Sequence, residues 1–211
     1  MREALRVTFV RLSKNASTSI YQQLGDRNVI TDERLKQLFV SDIKKYKGIF
    51  APSHCSLQEA VMALGSQILN YPSFCVIRNA YDRFVSMYSF SNKMGFYSLY
   101  GEDSGSFLEF ARYFYKNRKD SNFFHTSSQL SNIKYNGQVA VKHMLDFQNI
   151  NKLFKDFVEV YNVVGVNPNL PQKNTTKHKH YSEYYCTESK NIVEEIWQED
   201  FEYFKFKYEE N

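Results

Sequence analysis

A lysine and three hydroxyl side chains stand close together near the start of the chain: Lys14, Ser17, Thr18 and Ser19. The lysine ammonium is a mobile point charge, and hydroxyl groups donate hydrogen bonds to anions. If a helix begins at these hydroxyls, its first unpaired N–H groups add a partial positive charge. This group can therefore bind a phosphate- or sulfate-like anion, although an ordinary polar turn between a strand and a helix has the same composition.

The elements on either side of this group fit an anion site. Residues 7–10, Val-Thr-Phe-Val, have the β-branched and aromatic character of a strand, and residues 20–24 continue as a helix. The loop between them lacks both glycines of the nucleotide-binding pattern GxxxxGK[ST], and its lysine precedes the hydroxyls. The sequence therefore predicts a phosphate-binding strand–loop–helix that differs from the loop of nucleoside triphosphatases.

A second pair of polar side chains follows another predicted strand. Residues 74–77 are a continuous apolar run typical of a buried parallel strand, and Arg78 stands at its carboxyl end. Asn79 can cap the next helix, and Ser86 lies about two turns into it. A guanidinium fork and a hydroxyl suit a phosphate monoester, so Arg78 and Ser86 form a candidate second anion site. Taken singly, both are also common structural residues.

A histidine, His54, follows the apolar run 48–51, which we expect to be a short strand. Open α/β sheets place functional groups just past the ends of their strands. An imidazole ordinarily titrates near ~6.5, which suits proton abstraction near neutral pH. His54 is therefore a candidate general base, while a structural or merely exposed histidine is the alternative.

The first loop resembles a known motif. Residues 13–19, Ser-Lys-Asn-Ala-Ser-Thr-Ser, are similar to the 5′-phosphosulfate loop of the sulfotransferases that use 3′-phosphoadenosine 5′-phosphosulfate. The similarity is greatest to the carbohydrate-type branch of that family. Ser13 departs from the proline that the family usually has before the lysine.

The second strand–helix resembles the family's 3′-phosphate motif. Residues 78–88 read Arg-Asn-Ala-Tyr-Asp-Arg-Phe-Val-Ser-Met-Tyr. Asn79 and Ala80 replace the usual Asp-Pro, whereas Arg78 and Ser86 occupy the two positions that bind phosphate in the family.

The resemblance implies a role for each group of residues. His54 becomes the base that takes the acceptor proton, and Lys14 stabilises the leaving group. Arg78 and Ser86 hold the 3′-phosphate. The cofactor-binding residues implied for the first loop are Lys14, Asn15, Ala16, Ser17, Thr18 and Ser19.

Two further segments match the family in part. A loop before the last helix resembles a segment that closes over the cofactor, through Lys173, Asn174, Thr175 and Thr176. His125 and Gln129 stand where many carbohydrate-type members have residues near the acceptor or cofactor. His178 and His180 have no cysteine or carboxylate cluster near them, which is a poor metal signal. The basic patch around them is too short to indicate nucleic-acid binding.

Composition limits the class of protein. A chain of 211 residues with 43% hydrophobic and 24% charged residues is globular, and a net charge of +4 suits an anionic cofactor. Three cysteines are too few for a disulfide framework, and Cys75 is expected to be a buried thiol.

Localisation is predicted from the apolar runs. No run approaches the ~20 apolar residues of a membrane span, and the first six residues do not resemble a signal peptide. We therefore expect a soluble, cytoplasmic protein of microbial or viral type; a trimmed Golgi lumenal domain is the alternative.

The expected fold is α/β in a single domain over residues 1–211. A central parallel sheet of about four or five strands has helices on both faces, in the P-loop-like arrangement that the resemblance implies. Further strands are expected within 139–144 and 162–166. Further helices are expected at 57–69, 107–115, 149–157 and 188–208.

The expected reaction is sulfuryl transfer from 3′-phosphoadenosine 5′-phosphosulfate to an acceptor hydroxyl. It leaves adenosine 3′,5′-bisphosphate and requires no metal, and the carbohydrate-type motifs favour a saccharide acceptor. One alternative is a non-catalytic module that binds a nucleotide or an anionic glycan. The other is a P-loop kinase, which needs the Walker glycines and a strand-end aspartate for Mg²⁺; the sequence is expected to have neither.

Overall fold

A computed structural model describes residues 5–36, 54–94, 105–119, 127–171 and 179–210. The chain divides into two compact units. The first unit comprises Met1–Ile43, Ala51–Arg78 and Ser131–Asn174, and the second comprises Lys44–Phe50, Asn79–Leu130 and Thr175–Asn211.

The strands of the described residues all belong to the first unit. They are β1 (Thr8–Phe9), β2 (Ser73–Ile77), β3 (Lys134–Tyr135), β4 (Gln138–Val139) and β5 (His143–Asp146). A parallel sheet has the order β1-β2-β5, and β3 and β4 form a separate antiparallel hairpin. The central strand β2 is buried along its whole length, as its continuous apolar sequence predicts.

The described part of the parallel sheet has three strands, fewer than the four or five expected. The run 48–51, predicted as a strand, lies outside the described residues. The predicted strand at 162–166 is instead a turn, in which the Val166 N–H donates to the Val163 carbonyl and Gly165 has a φ of +83°. Val163 and Val166 are buried, which explains why a turn has the apolar sequence of a short strand.

The helices of the described residues begin and end as follows: α1 Ser17–Leu24, α2 Asp32–Lys36, α3 Leu57–Leu64, α4 Ala80–Met94, α5 Phe107–Asn117, α6 Gln129–Asn132, α7 Ile150–Val160, α8 Thr187–Ile196 and α9 Gln198–Phe204. None of them is long and apolar enough to cross a membrane. Helix α3 stops earlier than predicted because Gly65, with a φ of +87°, ends it.

Aromatic side chains build the core of the first unit. The ring of Phe9 on β1 stacks on that of Phe74 on β2, with centroids 4.8 Å apart. Phe157 on α7 contacts Phe74 from the helix side at 4.4 Å. These buried rings fix β1, β2 and α7 against one another, and with them the strand ends that carry the candidate site.

The second unit is helical and centres on Phe84, a fully buried residue of α4. Its ring meets those of Phe107, Phe114 and Trp197 edge to face, at 5.5, 5.4 and 5.8 Å. The single helix predicted at 188–208 is divided at Trp197 into α8 and α9.

A buried ion pair lies beside this core. The Arg83 guanidinium is 3.9 Å from the Asp200 carboxylate and lies over the Trp197 ring at 4.4 Å. Asp200 also accepts hydrogen bonds from the N–H groups of Gln129 and Leu130, each at 2.8 Å. Arg83 therefore has a structural role in the second unit.

Candidate active site

The loop after β1 turns into α1 through two residues in the left-handed region. Lys14 has a φ of 66° and Ala16 a φ of 54°, and neither is glycine. An L-residue pays about 1–2 kcal/mol for this conformation, so surrounding contacts must hold it. The loop thus makes a tight turn of the kind that glycines allow in the Walker pattern, without any glycine of its own.

Asn15, between these two residues, fastens the loop to the central strand. Its side chain is buried, and its Nδ2 donates to the carbonyl of Val76 on β2 at 2.6 Å. This contact joins residues that are 61 positions apart in sequence. It gives Asn15 a structural role in shaping the loop.

Arg78 fastens the loop a second time. It follows the last residue of β2 and is only 7% exposed. Its Nη1 donates to the Lys14 carbonyl at 2.8 Å, and its guanidinium carbon lies 4.2 Å from the centre of the Phe147 ring. The two sequence motifs thus meet at the carboxyl ends of β1 and β2, as parallel pairing requires.

Lys14 is half-buried in this setting. Burial, and to a lesser extent the nearby charge of Arg78, lowers the pKa of its ammonium to about 8. Two cations held close together are typical of a site for an anionic ligand. An anion bound between them would stabilise the charged form of both.

The start of α1 is arranged to bind an anion. Ala16 is its N-cap and provides no side-chain cap, because a methyl group accepts no hydrogen bond. The first turn has no acidic residue, so this helix start keeps its positive character. In that turn Ser17 and Ser19 are buried and Thr18 is half-buried.

His54 lies in the same unit, with its Nδ1 2.9 Å from the carbonyl oxygen of Arg11. A carbonyl only accepts hydrogen bonds, so Nδ1 carries the proton and donates it. In the neutral imidazole the lone pair is then on Nε2. The Arg11 carbonyl, two residues past the end of β1, thus holds His54 in a tautomer whose Nε2 can accept a proton.

Arg11 itself was not predicted as a site residue. Its Nη2 is 3.5 Å from the Thr18 hydroxyl, and its guanidinium lies over the Tyr21 ring at 4.5 Å. Its Nη1 is 3.9 Å from the Asp32 carboxylate. Burial lowers the pKa of Arg11, against Asp32 and Tyr21, which raise it. The signal available in the sequence is a charged residue directly between two apolar ones, Val10 and Leu12, both of which are buried.

Strand β5 ends in an aspartate, contrary to the expectation that no strand-end aspartate exists. The Asp146 carboxylate accepts from the Gln148 N–H at 3.2 Å and from Asn149 Nδ2 at 2.7 Å. It therefore caps the turn that follows β5. No group of three or more metal-ligating side chains occurs in the parts of the chain that are described.

Two other predicted residues belong to the second unit. Ser86 is buried on α4 in the second unit, and Gln129 of that unit is fully buried at the start of α6. A fully buried Gln129 needs a rearrangement before it can contact an acceptor. His125 lies outside the described residues, as do Lys173, Asn174, Thr175 and Thr176.

Comparison with known proteins identifies the family. The sequence model described as "Sulfotransferase family" matches residues 6–207, nearly the whole chain, so the chain belongs to this family. The parallel sheet flanked by helices is consistent with its α/β fold. No significant match was found among curated proteins or among solved structures.

Proposed function

We propose that this family member transfers a sulfuryl group from 3′-phosphoadenosine 5′-phosphosulfate to an acceptor hydroxyl. The observation that carries the proposal is the hydrogen bond from Arg78 to the Lys14 carbonyl. It brings together the cations of two motifs that are 64 positions apart. A donor with two separate phosphates matches a site built from two such motifs.

The two anion sites divide the donor between them. The loop N–H groups and the hydroxyls of Thr18 and Ser19 bind the 5′-phosphate at the start of α1. Arg78 and Ser86 bind the 3′-phosphate, as in the family motif that they match. The segment with Lys173, Asn174, Thr175 and Thr176 closes over the nucleotide by the same resemblance.

The chemical step is an in-line displacement at sulfur. The acceptor oxygen forms a bond to sulfur as its proton passes to Nε2 of His54, and the bond from sulfur to the bridging oxygen breaks. The electron pair of that bond leaves with adenosine 3′,5′-bisphosphate, whose new negative charge the Lys14 ammonium stabilises. Because a sulfuryl group carries less charge than a phosphoryl group, the step requires no divalent metal.

The acceptor that we propose is a saccharide. The support is the likeness of residues 13–19 and 78–88 to the carbohydrate-type branch. The two motifs supply the same positioning and charge stabilisation whatever molecule carries the acceptor hydroxyl. The choice of acceptor therefore depends on residues outside these motifs.

The experiment is a transfer assay with the labelled donor and a panel of oligosaccharides, tyrosine peptides and simple alcohols. We expect one molecule of sulfated saccharide for each molecule of adenosine 3′,5′-bisphosphate released. Tight binding of the nucleotide with no transfer to any acceptor would contradict the proposal and favour a non-catalytic binding module. Transfer to a peptide alone would overturn the saccharide assignment.

A further inference from the structure

Phe147 occupies a place that the register of the sheet defines. Strands β2 and β5 run parallel, and their last paired residues are Ile77 and Asp146. Arg78 and Phe147 are the residues that directly follow these two strands. The two side chains therefore emerge side by side at the carboxyl edge of the sheet, and the guanidinium lies over the ring at 4.2 Å.

The ring is held from two directions. Asp146 caps the turn Phe147–Asn149, which fixes the backbone at Phe147. The ring itself is partly buried against the aromatic core of the first unit. Phe147 is thus a fixed surface, whereas an arginine side chain alone has several rotatable bonds.

Contact through the ring leaves the hydrogen-bonding capacity of Arg78 intact. All donors of a guanidinium lie in its plane, so an aromatic ring on its face takes none of them. One in-plane donor, on Nη1, is given to the Lys14 carbonyl at 2.8 Å. The ring and this hydrogen bond together fix both the plane and the rotation of the guanidinium.

We propose that Phe147 is a positioning residue that sets the Arg78 guanidinium for a phosphate on the ribose 3′ position. The inference rests on the proposed function, because that function places the 3′-phosphate at Arg78. Phe147 contributes selectivity: it favours ligands that carry the 3′-phosphate over the same nucleotide without it.

The magnitude follows from the loss of a cation–π contact at a largely desolvated arginine. We expect Phe147→Leu to weaken binding of adenosine 3′,5′-bisphosphate roughly tenfold. Adenosine 5′-monophosphate has no 3′-phosphate, so its affinity should change less than about twofold. Phe147→Tyr keeps the ring face and should bind both nucleotides as the wild type does.

The experiment measures the dissociation constants of both nucleotides for the full-length protein and its variants by calorimetry. Ile150→Ala is the matched packing control, because Ile150 packs on the same core and has no ring to offer a guanidinium. Thermal unfolding checks that each variant is folded. If Phe147→Leu does not fold, Phe147→Met takes its place.

The readout is the ratio of the two dissociation constants. A ratio that falls about tenfold in Phe147→Leu and not in Phe147→Tyr or Ile150→Ala supports the inference. An unchanged ratio, with the wild type still discriminating between the nucleotides, overturns it and leaves the proposed function standing. A wild type that does not prefer the bisphosphate overturns the 3′-phosphate assignment and the inference with it.

Discussion

The guanidinium of Arg78 and the backbone carbonyl of Lys14 are joined by a 2.8 Å hydrogen bond. Arg78 ends the central strand, and Lys14 lies in the loop after its neighbour β1. The bond stabilises the left-handed conformation of Lys14 and places a second cation beside its ammonium. One arginine therefore acts on the geometry and on the charge of the candidate site.

Replacing Arg78 should weaken nucleotide binding, and more so when both its charge and its planar set of hydrogen-bond donors are removed. We expect Arg78→Ala to cost about 2 kcal/mol of binding free energy for adenosine 3′,5′-bisphosphate, the scale of a charged hydrogen bond. Arg78→Lys keeps the charge and loses the planar fork, so its affinity for the bisphosphate should lie between those of the wild type and Arg78→Ala. Calorimetry measures both, and an unchanged dissociation constant in Arg78→Ala would remove the 3′-phosphate assignment.

Lys14 should matter more for the rate than for binding. Its charge is needed most when negative charge appears on the leaving oxygen, so Lys14→Ala should lower kcat about 10²–10³-fold. The dissociation constant of adenosine 3′,5′-bisphosphate should change less than about tenfold. The measurement pairs single-turnover rates with calorimetry, and equal losses in both would assign Lys14 to binding alone.

The pKa of Lys14 predicts the alkaline limb of the pH profile. Because burial lowers it to about 8, kcat/KM should fall as the pH rises through about 8 and the free enzyme loses the ammonium proton. A bound anionic donor favours the charged amine, so the limb in kcat should lie at higher pH.

Stability should not follow the same curve. A lowered amine pKa means that the unfolded chain binds more protons between pH 8 and the ordinary lysine value of 10.5, so this group adds stability as the pH rises. Lys14→Ala should abolish that increment. A loss of activity that tracks loss of fold, seen by circular dichroism over the same pH range, would contradict the assignment of the limb to Lys14.

His54 can be tested with a replacement that keeps its hydrogen bond. We expect His54→Ala to lower kcat about 10²–10⁴-fold, with nucleotide binding unchanged. Asparagine can still donate to the Arg11 carbonyl but cannot take up a proton, so His54→Asn should be as slow as His54→Ala. Recovery of the rate in His54→Asn would show that His54 serves to hold the loop and is not the base.

The buried pair of Arg83 and Asp200 should dominate the stability of the second unit. Removing one partner of a buried ion pair costs ~3–5 kcal/mol, so Asp200→Ala should lower the free energy of unfolding by that order. Glu188, in the exposed pair with Arg112, provides the control, and Glu188→Gln should change little. Urea unfolding measures both, and a small loss in Asp200→Ala would contradict a structural role for the pair.

The sequence contains the local information for much of this site. The apolar run 74–77 predicts β2, and the hydroxyls from Ser17 mark the start of α1, because strand and helix starts depend on near neighbours in sequence. Residues 162–166 form a turn although their sequence predicts a strand, because so short an apolar run shows no spacing that distinguishes the two. Gly165, where the chain turns with a positive φ, was the available signal.

What the sequence does not contain is the pairing of distant residues. The contact of Phe147 with Arg78 depends on the register of β5 against β2, and that of His54 with Arg11 on a separation of 43 positions. Neither contact is indicated by a pattern among residues that are close in sequence. Phe147 therefore appears in the sequence as one of 18 phenylalanines, with nothing to mark it out.

The most direct test of the central claim is calorimetric titration of the wild-type protein with adenosine 3′,5′-bisphosphate, adenosine 5′-monophosphate and ATP. The claim is that the loop with Lys14 and the strand end with Arg78 together bind a nucleotide that has phosphates at both positions. It predicts tight binding of the bisphosphate and much weaker binding of the other two. No binding of the bisphosphate, or a preference for ATP, would contradict it.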